Sequence, residues 1–129
     1  MAVQAIAKGV SISPRKVSPV AALVRGRTVE DAMVILEYTP RRAPALAVKK
    51  TIASARANAE HNHNLKPGTL KIVEITVTAG PRLKRFRPAA RGHALPYQKR
   101  TSHIRVVVDG EVRVAKKPAE KAEAKKESK

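Results

Sequence analysis

The sequence predicts an α+β fold with three helices, a few short antiparallel strands and one long protruding β-hairpin. Hydrophobic residues recur at helical spacing in three successive segments, whereas they alternate with other residues in an opening segment and in two later ones. The two later segments enclose residues 80–103, a basic stretch with no acidic residue. If they pair in antiparallel fashion, this stretch becomes an extended hairpin.

The first strand and the first helix are predicted from the opening residues. Residues 1–10 alternate weakly, and Gly9 suggests an irregularity in this strand. Ser13 and Pro14 then supply an N-cap and a first helical residue. The apolar positions that follow at spacings of three and four are Val17, Val20, Ala21 and Val24. They predict an amphipathic helix that ends at Arg25-Gly26.

Two further helices are predicted before residue 65. Thr28 and Asp31 resemble a capping box, with Asp in place of the usual Glu, and helical spacing continues to Thr39-Pro40. Residues 42–62 are rich in alanine, which has the highest helix propensity. The side chains expected to bury one side of this helix are Leu46, Val48, Ile52 and the alanines, and those expected opposite are Lys49, Lys50 and Arg56.

The remaining strands follow the breaker Lys66-Pro67-Gly68. Residues 70–79 alternate, with Val73, Ile75 and Val77 expected on one side, and a matching run occurs at residues 104–108. Near the predicted hairpin tip, Pro88 and Pro96 remove backbone donors. An irregular tip clasped by a partner and an edge-protecting device explain these prolines equally well.

The charge of the chain points to an anionic partner. Lysine and arginine number 27 against 10 acidic residues, which gives a net charge of +17. This imbalance opposes compact folding unless a polyanion neutralises it, so nucleic acid or an anionic membrane is expected. No apolar run approaches the roughly 18 residues of a spanning helix, and we expect no membrane insertion. With no cysteine, thiolate sites are excluded, and a reducing cytoplasm fits.

The distribution of charge favours RNA bound through its phosphates. The basic cluster of residues 80–103 has no acidic partner within it, and arginine binds phosphate oxygens bidentately. Only three aromatic residues occur in the chain, which is too few for the platforms that stack unpaired bases. A solvated surface, the usual explanation of a charge run, fits this long stretch less well.

Catalysis and metal binding have little support. His61 and His63 lack a carboxylate or cysteine pattern that would complete a metal site, so helix capping or phosphate contact is favoured. Ser102 and His103 are adjacent on a strand, and their side chains should point to opposite faces. Carboxylates outside the last fifteen residues are scattered, which disfavours a nuclease. A regulatory DNA-binding protein remains an alternative, but neither predicted helix pair places basic residues at the start of a recognition helix.

Several segments between residues 13 and 108 resemble a known family. They are SPRKVSPVAALVRGRTVEDAMVIL, then SARANAEHN, then GPRLKRFRPAARGHALPYQKRTSHIRVVV. In this order they closely resemble bacterial large-subunit ribosomal protein twenty-two. The last block carries the most specific resemblance, because its proline-centred tip lies between two basic arms in one hairpin.

The resemblance implies a non-enzymatic structural protein of the large ribosomal subunit. Three helices would pack on a small antiparallel sheet in an rRNA-binding domain over residues 1–114, with the hairpin at about 80–103 and a disordered tail at 115–129. Implied partners are 23S-type rRNA, neighbouring ribosomal proteins and the nascent peptide in the exit tunnel. The protein would be cytoplasmic, without cofactor, metal or homo-oligomer.

Site residues follow from the resemblance and from the charge pattern together. The predicted RNA contacts are Arg15, Lys16, Lys49, Lys50, Arg56, Arg82, Lys84, Arg85, Arg87, Lys99, Arg100, Thr101, Ser102 and His103. The predicted tunnel tip comprises Pro88, Ala89, Ala90, Arg91, Gly92 and His93.

Overall fold

A computed structural model describes residues 2–113 and confirms the α+β fold. The elements are β1 (Val3–Val10), α1 (Pro14–Val24), α2 (Val29–Tyr38), α3 (Arg42–His63), β2 (Lys71–Pro88) and β3 (Ala94–Asp109). Short 3-10 turns occupy Pro67–Thr69 and Ala90–Gly92. The predicted tail at residues 115–129 lies outside the described residues.

The sheet has three antiparallel strands in the order β1-β3-β2. β3 is therefore central, and its Val108 pairs with Val3 of β1 and with Ile72 of β2. Beyond the register of Ser102, β2 and β3 continue without β1 as a two-stranded ribbon. This ribbon is the predicted hairpin.

The core lies between the three helices and one face of the sheet. The four apolar positions predicted to bury α1 are all buried, and so are Val48 and Ile52 of α3. The central strand β3 adds three buried side chains to this core, because its alternate residues face the helices: Ile104, Val106 and Val108. Each fully buried valine or isoleucine stabilises the fold by about 1.5–3 kcal/mol relative to exposure.

The beginnings of α1 and α2 are capped differently. At α2 the backbone N–H of Asp31 donates to Thr28 Oγ1 at 3.2 Å, and Thr28 Oγ1 donates to Asp31 Oδ2 at 2.7 Å. This confirms the N-cap predicted at Thr28. α1 begins at Pro14 as predicted, but the Ser13 side chain makes no capping hydrogen bond. The backbone N–H of Lys16 donates instead to the Ser13 carbonyl oxygen at 2.9 Å.

Two sequence predictions about buried faces are wrong. The strict alternation of β2 is broken by a register shift between Ile72 and Glu74, which leaves Val73 58% exposed. Ile72 and Ile75 are both buried because this bulge inserts one residue between them. On α3, Leu46 is 55% exposed instead of buried, since α2 and the sheet cover other faces of the helix.

Candidate nucleic-acid interface

The ribbon formed by β2 and β3 projects beyond the core as an arm, which we define as residues 81–100. Every residue of the arm except Ala89 is exposed. Its ladder runs without interruption from the pair Arg82–Arg100 to the pair Pro88–Ala94. The arm has no hydrophobic core, so its own contribution to folding comes from the ladder and from cross-strand pairs.

Cations cover both faces of the arm. Cross-strand partners in an antiparallel ladder share a face, and successive residues alternate between faces. One face carries Arg82, Lys84 and Arg100, with Phe86, Pro96 and Gln98. The other carries Arg85, Arg87 and Lys99, with Leu83, Leu95 and Tyr97. A ribbon with three cations on each side suits a position between two anionic surfaces.

These cations have no acidic partner in the part of the chain that the structure describes. Within residues 2–113 the ion pairs are Lys49–Glu37, Lys66–Glu111 and Arg113–Glu60, and none involves the arm. Arg82 lies directly opposite Arg100 in the ladder. Like charges in opposed positions destabilise a ladder unless an anion lies between them. The free arm is therefore destabilised by repulsion between its cations, which a bound polyanion would remove.

Two arginines of the arm are oriented by local contacts. The Arg87 guanidinium lies 4.9 Å from the centre of the Tyr97 ring on the same face, within the range of a cation–π interaction. Arg85 Nη1 donates to the carbonyl oxygen of Lys84 at 2.8 Å. Both guanidinium groups retain further N–H donors for phosphate oxygens.

The predicted tip, residues 88–93, forms the turn of the arm. The backbone N–H of Ala89 donates to the carbonyl oxygen of His93 at 2.8 Å, which closes the turn. Arg91 and Gly92 both have positive φ, at 57° and 72°. Glycine adopts this conformation without strain, and Arg91 is held in it by the tight turn. The Arg91 side chain is exposed at the outermost point of the arm.

Residues 101–103 join the arm to the sheet. Thr101 Oγ1 donates to the Pro81 carbonyl oxygen at 2.7 Å across a register shift between Ala79 and Arg82. His103 Nδ1 accepts the backbone N–H of Gly9 at 2.9 Å, where β1 has its own irregularity, as predicted at Gly9. Thr101 and Ser102 are buried. They support the base of the arm, and their contact with RNA stays a prediction.

The helical cations predicted as RNA contacts lie in different places. Arg15 and Lys16 are exposed in the first turn of α1, as expected. Lys49 and Arg56 are half-buried, and Lys49 Nζ lies 3.4 Å from Glu37 Oε2. Lys50 does not share their flank, because consecutive helical residues are about 100° apart. It borders a groove beside β1 instead.

Sequence reasoning missed a second basic cluster. Lys16 and the pair Arg41-Arg42 line one shallow depression where the N-termini of α1 and α3 meet. Neither helix has an acidic residue in its first turn. Cations at a helix N-terminus are unfavourable by about 0.3–1 kcal/mol each, so their concentration here suits an external anion. The adjacent arginines before the alanine-rich helix were the available signal.

Other chemistry has little geometric basis in residues 2–113. Ser102 Oγ is buried without a hydrogen-bond partner there, and His103 Nδ1 is engaged by Gly9, so the two do not form a nucleophile and base. No three histidine or carboxylate side chains of this range lie close enough to hold a metal ion. None of the described helices combines the length and apolar character needed to cross a membrane.

Comparison with known proteins places this chain in a family. The model of the family described as Ribosomal protein L22p/L17e matches residues 5–109. Similar proteins include the large ribosomal subunit protein uL22 of Clostridioides difficile, which is 47% identical over 84% of this chain and 96% of its own length. That of Clostridium novyi is 52% identical over the same shares, and that of Lactobacillus helveticus is 50% identical over 81% and 89%. The chain therefore belongs to the ribosomal protein L22p/L17e family.

Proposed function

We propose that the chain is a structural constituent of the large ribosomal subunit that binds large-subunit rRNA and supports subunit assembly. The observation that carries this proposal is the arm, whose two faces each present three cations that have no acidic partner within residues 2–113. A ribbon of this kind holds two phosphate backbones at once, one on each face. Binding then derives mainly from phosphate neutralisation and release of counterions.

The globular part and the arm have separate tasks in this proposal. Residues 1–114 form the rRNA-binding domain, which anchors the arm, and residues 88–93 at its tip line the exit tunnel and meet the nascent peptide. The exposed cations of the arm contact rRNA directly. The helical contacts expected from sequence were Arg15, Lys16, Lys49, Lys50 and Arg56. We propose all of them except Lys50, which borders the groove beside β1, and we add Arg41 and Arg42 because they form a cluster with Lys16.

The proposed role is non-catalytic and places the protein in cytoplasmic ribosomes beside neighbouring ribosomal proteins. A tip made of small residues suits a tunnel lining, since Ala89, Ala90 and Gly92 leave the turn narrow. Arg91, at the turn itself, supplies a cation to the lumen or to its wall. No cofactor takes part in this function.

Co-sedimentation tests the proposal. The tagged full chain, expressed in cells, should travel with large subunits in a sucrose gradient and stay bound after a wash in high salt. A matched variant in which residues 82–100 are replaced by a two-residue turn should lose retention in the wash. If the full chain stays at the top of the gradient or follows DNA, the ribosomal role is refuted.

A further inference from the structure

The two edge strands of the sheet differ in the hydrogen bonding of their outward backbone groups. At the β2 edge, Ile72 is bonded in both directions by the turn after α1: Gly26 N–H donates to its carbonyl oxygen at 3.0 Å, and its own N–H donates to Arg27 at 2.9 Å. Val29 N–H likewise donates to Leu70 at 3.0 Å. Within residues 2–113, β1 has no such cover, because its neighbour in the sheet is β3 alone. In a regular strand every second N–H and C=O points away from the paired neighbour, so at β1 residues 3–7 these groups have no strand partner within the described residues.

An apolar groove runs beside this open edge. It lies between β1 and the first half of α3 and has a volume of about 390 Å³, within the usual range for binding clefts. Small residues line its α3 side, at Ala43, Ala47 and Ser54. Ile6 and Leu46 border it with half of their surfaces exposed, at 50% and 55%. An open strand edge beside an apolar groove is the arrangement that receives an added peptide strand.

The charges around the groove define the occupant. Lys50 lines the groove, and Lys8 follows Ile6 by two residues on β1. Both side chains are exposed, and neither has an ion-pair partner within residues 2–113. We propose that an extended segment of a partner protein adds to β1 as a fourth strand, places an aliphatic side chain between Ile6 and Leu46, and directs flanking carboxylates to Lys8 and Lys50.

Other occupants fit less well. A second copy of the chain would bring another uncompensated charge of +17, and its β1 contains no carboxylate. Val114 is the one branched aliphatic residue among the chain's own residues 114–129, and it is the first of them. The rest of that segment has no branched aliphatic side chain to place in the groove. RNA would bury charged phosphates and sugars against a wall of alanine, leucine and isoleucine. The register shift between Ala7 and Val10 leaves residues 3–7 in regular pairing with β3, so we expect the added strand to pair with residues 3–7.

A peptide selection on the purified full chain tests this inference without depending on the ribosomal role. The probe is a phage-displayed library of random ten-residue peptides, presented while excess tRNA covers the basic arm. The enriched peptides should carry an aliphatic residue with Asp or Glu within two positions. Synthetic versions should slow hydrogen exchange at alternate amides of residues 3–7. Failure to enrich such peptides overturns the proposal.

Variants then separate strand addition from other binding. Leu46→Asp and Lys50→Glu should each weaken the selected peptide at least tenfold, whereas Val34→Asp, an equally exposed apolar position on α2, should not. A peptide with N-methylated amides on its pairing edge should also lose at least tenfold. Equal binding by the methylated peptide overturns strand addition. So does protection of the β1 amides by an rRNA fragment in place of the peptide.

Discussion

Removal of the opposed pair Arg82 and Arg100 should weaken RNA binding and stabilise the free arm at the same time. In the ladder these residues face each other on one side, and the described residues offer them no carboxylate. Their repulsion opposes the ladder until phosphate lies between them. Replacement of both by glutamine removes the repulsion together with two phosphate contacts. The two effects have opposite signs, which a mutation that merely damages the fold would not produce.

The magnitude follows from counterion release. Each phosphate contact contributes about 0.7–0.9 to the slope of log affinity against log salt. The seven lysines and arginines of the arm would together give a slope of about −5 to −6. Loss of two contacts should lower its magnitude by about 1.4–1.8. Between 50 and 200 mM salt, the deficit of the variant should therefore shrink by roughly tenfold.

Fluorescence anisotropy with a large-subunit rRNA fragment over that salt range measures the slope, and amide hydrogen exchange measures the free arm. Exchange at residues 82–100 should slow by up to about fivefold in the variant. Arg27→Gln is the matched control, because this arginine lies outside the arm and its Nε donates to Leu23 O at 3.2 Å. An unchanged slope, or faster exchange in the arm, would refute the reasoning.

Three further predictions concern the fold. In Gly80→Ala the new Cβ would lie 2.5 Å from Thr101 Oγ1, so this hydroxyl must shift and its bond to Pro81 should weaken. Denaturant unfolding should show a loss of about 1–3 kcal/mol. Gly68→Ala, whose new Cβ meets nothing within 4 Å, should stay within about 0.5 kcal/mol. Thr28→Ala should lower the free energy of unfolding by about 1 kcal/mol in the same assay, because its cap is lost. Ser13→Ala should lower it distinctly less, since Ser13 makes no capping bond, and equal losses would contradict this. Ile52→Ala should cost about 2–5 kcal/mol while the folded fraction binds rRNA normally, and a weaker affinity of that fraction would count against separate roles for core and arm.

Much of the fold follows from local patterns in the sequence. The spacing of Val17, Val20 and Val24 was sufficient to predict the buried face of α1, because a short helix on a core has one apolar stripe. Thr28 was recognisable as a cap because its partner lies three residues away. The arm was predictable because a long basic stretch lies between two strand patterns. In each case the determining contacts are close in sequence or set by composition.

The wrong or missing predictions concern features that are determined by contacts between distant parts of the chain. α3 is rich in small apolar residues on more than one side, so its periodicity could not show which side faces the sheet, and Leu46 was assigned to the wrong one. The exposure of Val73 depends on a bulge that is defined by pairing with β3. The cluster of Lys16 with Arg41 and Arg42 requires two helix N-termini to meet, which no local pattern encodes.

The arm and the domain depend on each other through the junction at Gly80 and Thr101. An isolated two-stranded hairpin is marginal in water, and this one also opposes like charges across its ladder. Its direction must therefore be set at the base, where Thr101 bonds Pro81 and where His103 ties the central strand to Gly9 of β1. Gly80 allows the strands to approach there, since any Cβ would meet the Thr101 hydroxyl. A base fixed by the core lets an otherwise weak ribbon reach its anionic partner already oriented, so less conformational entropy is lost on binding.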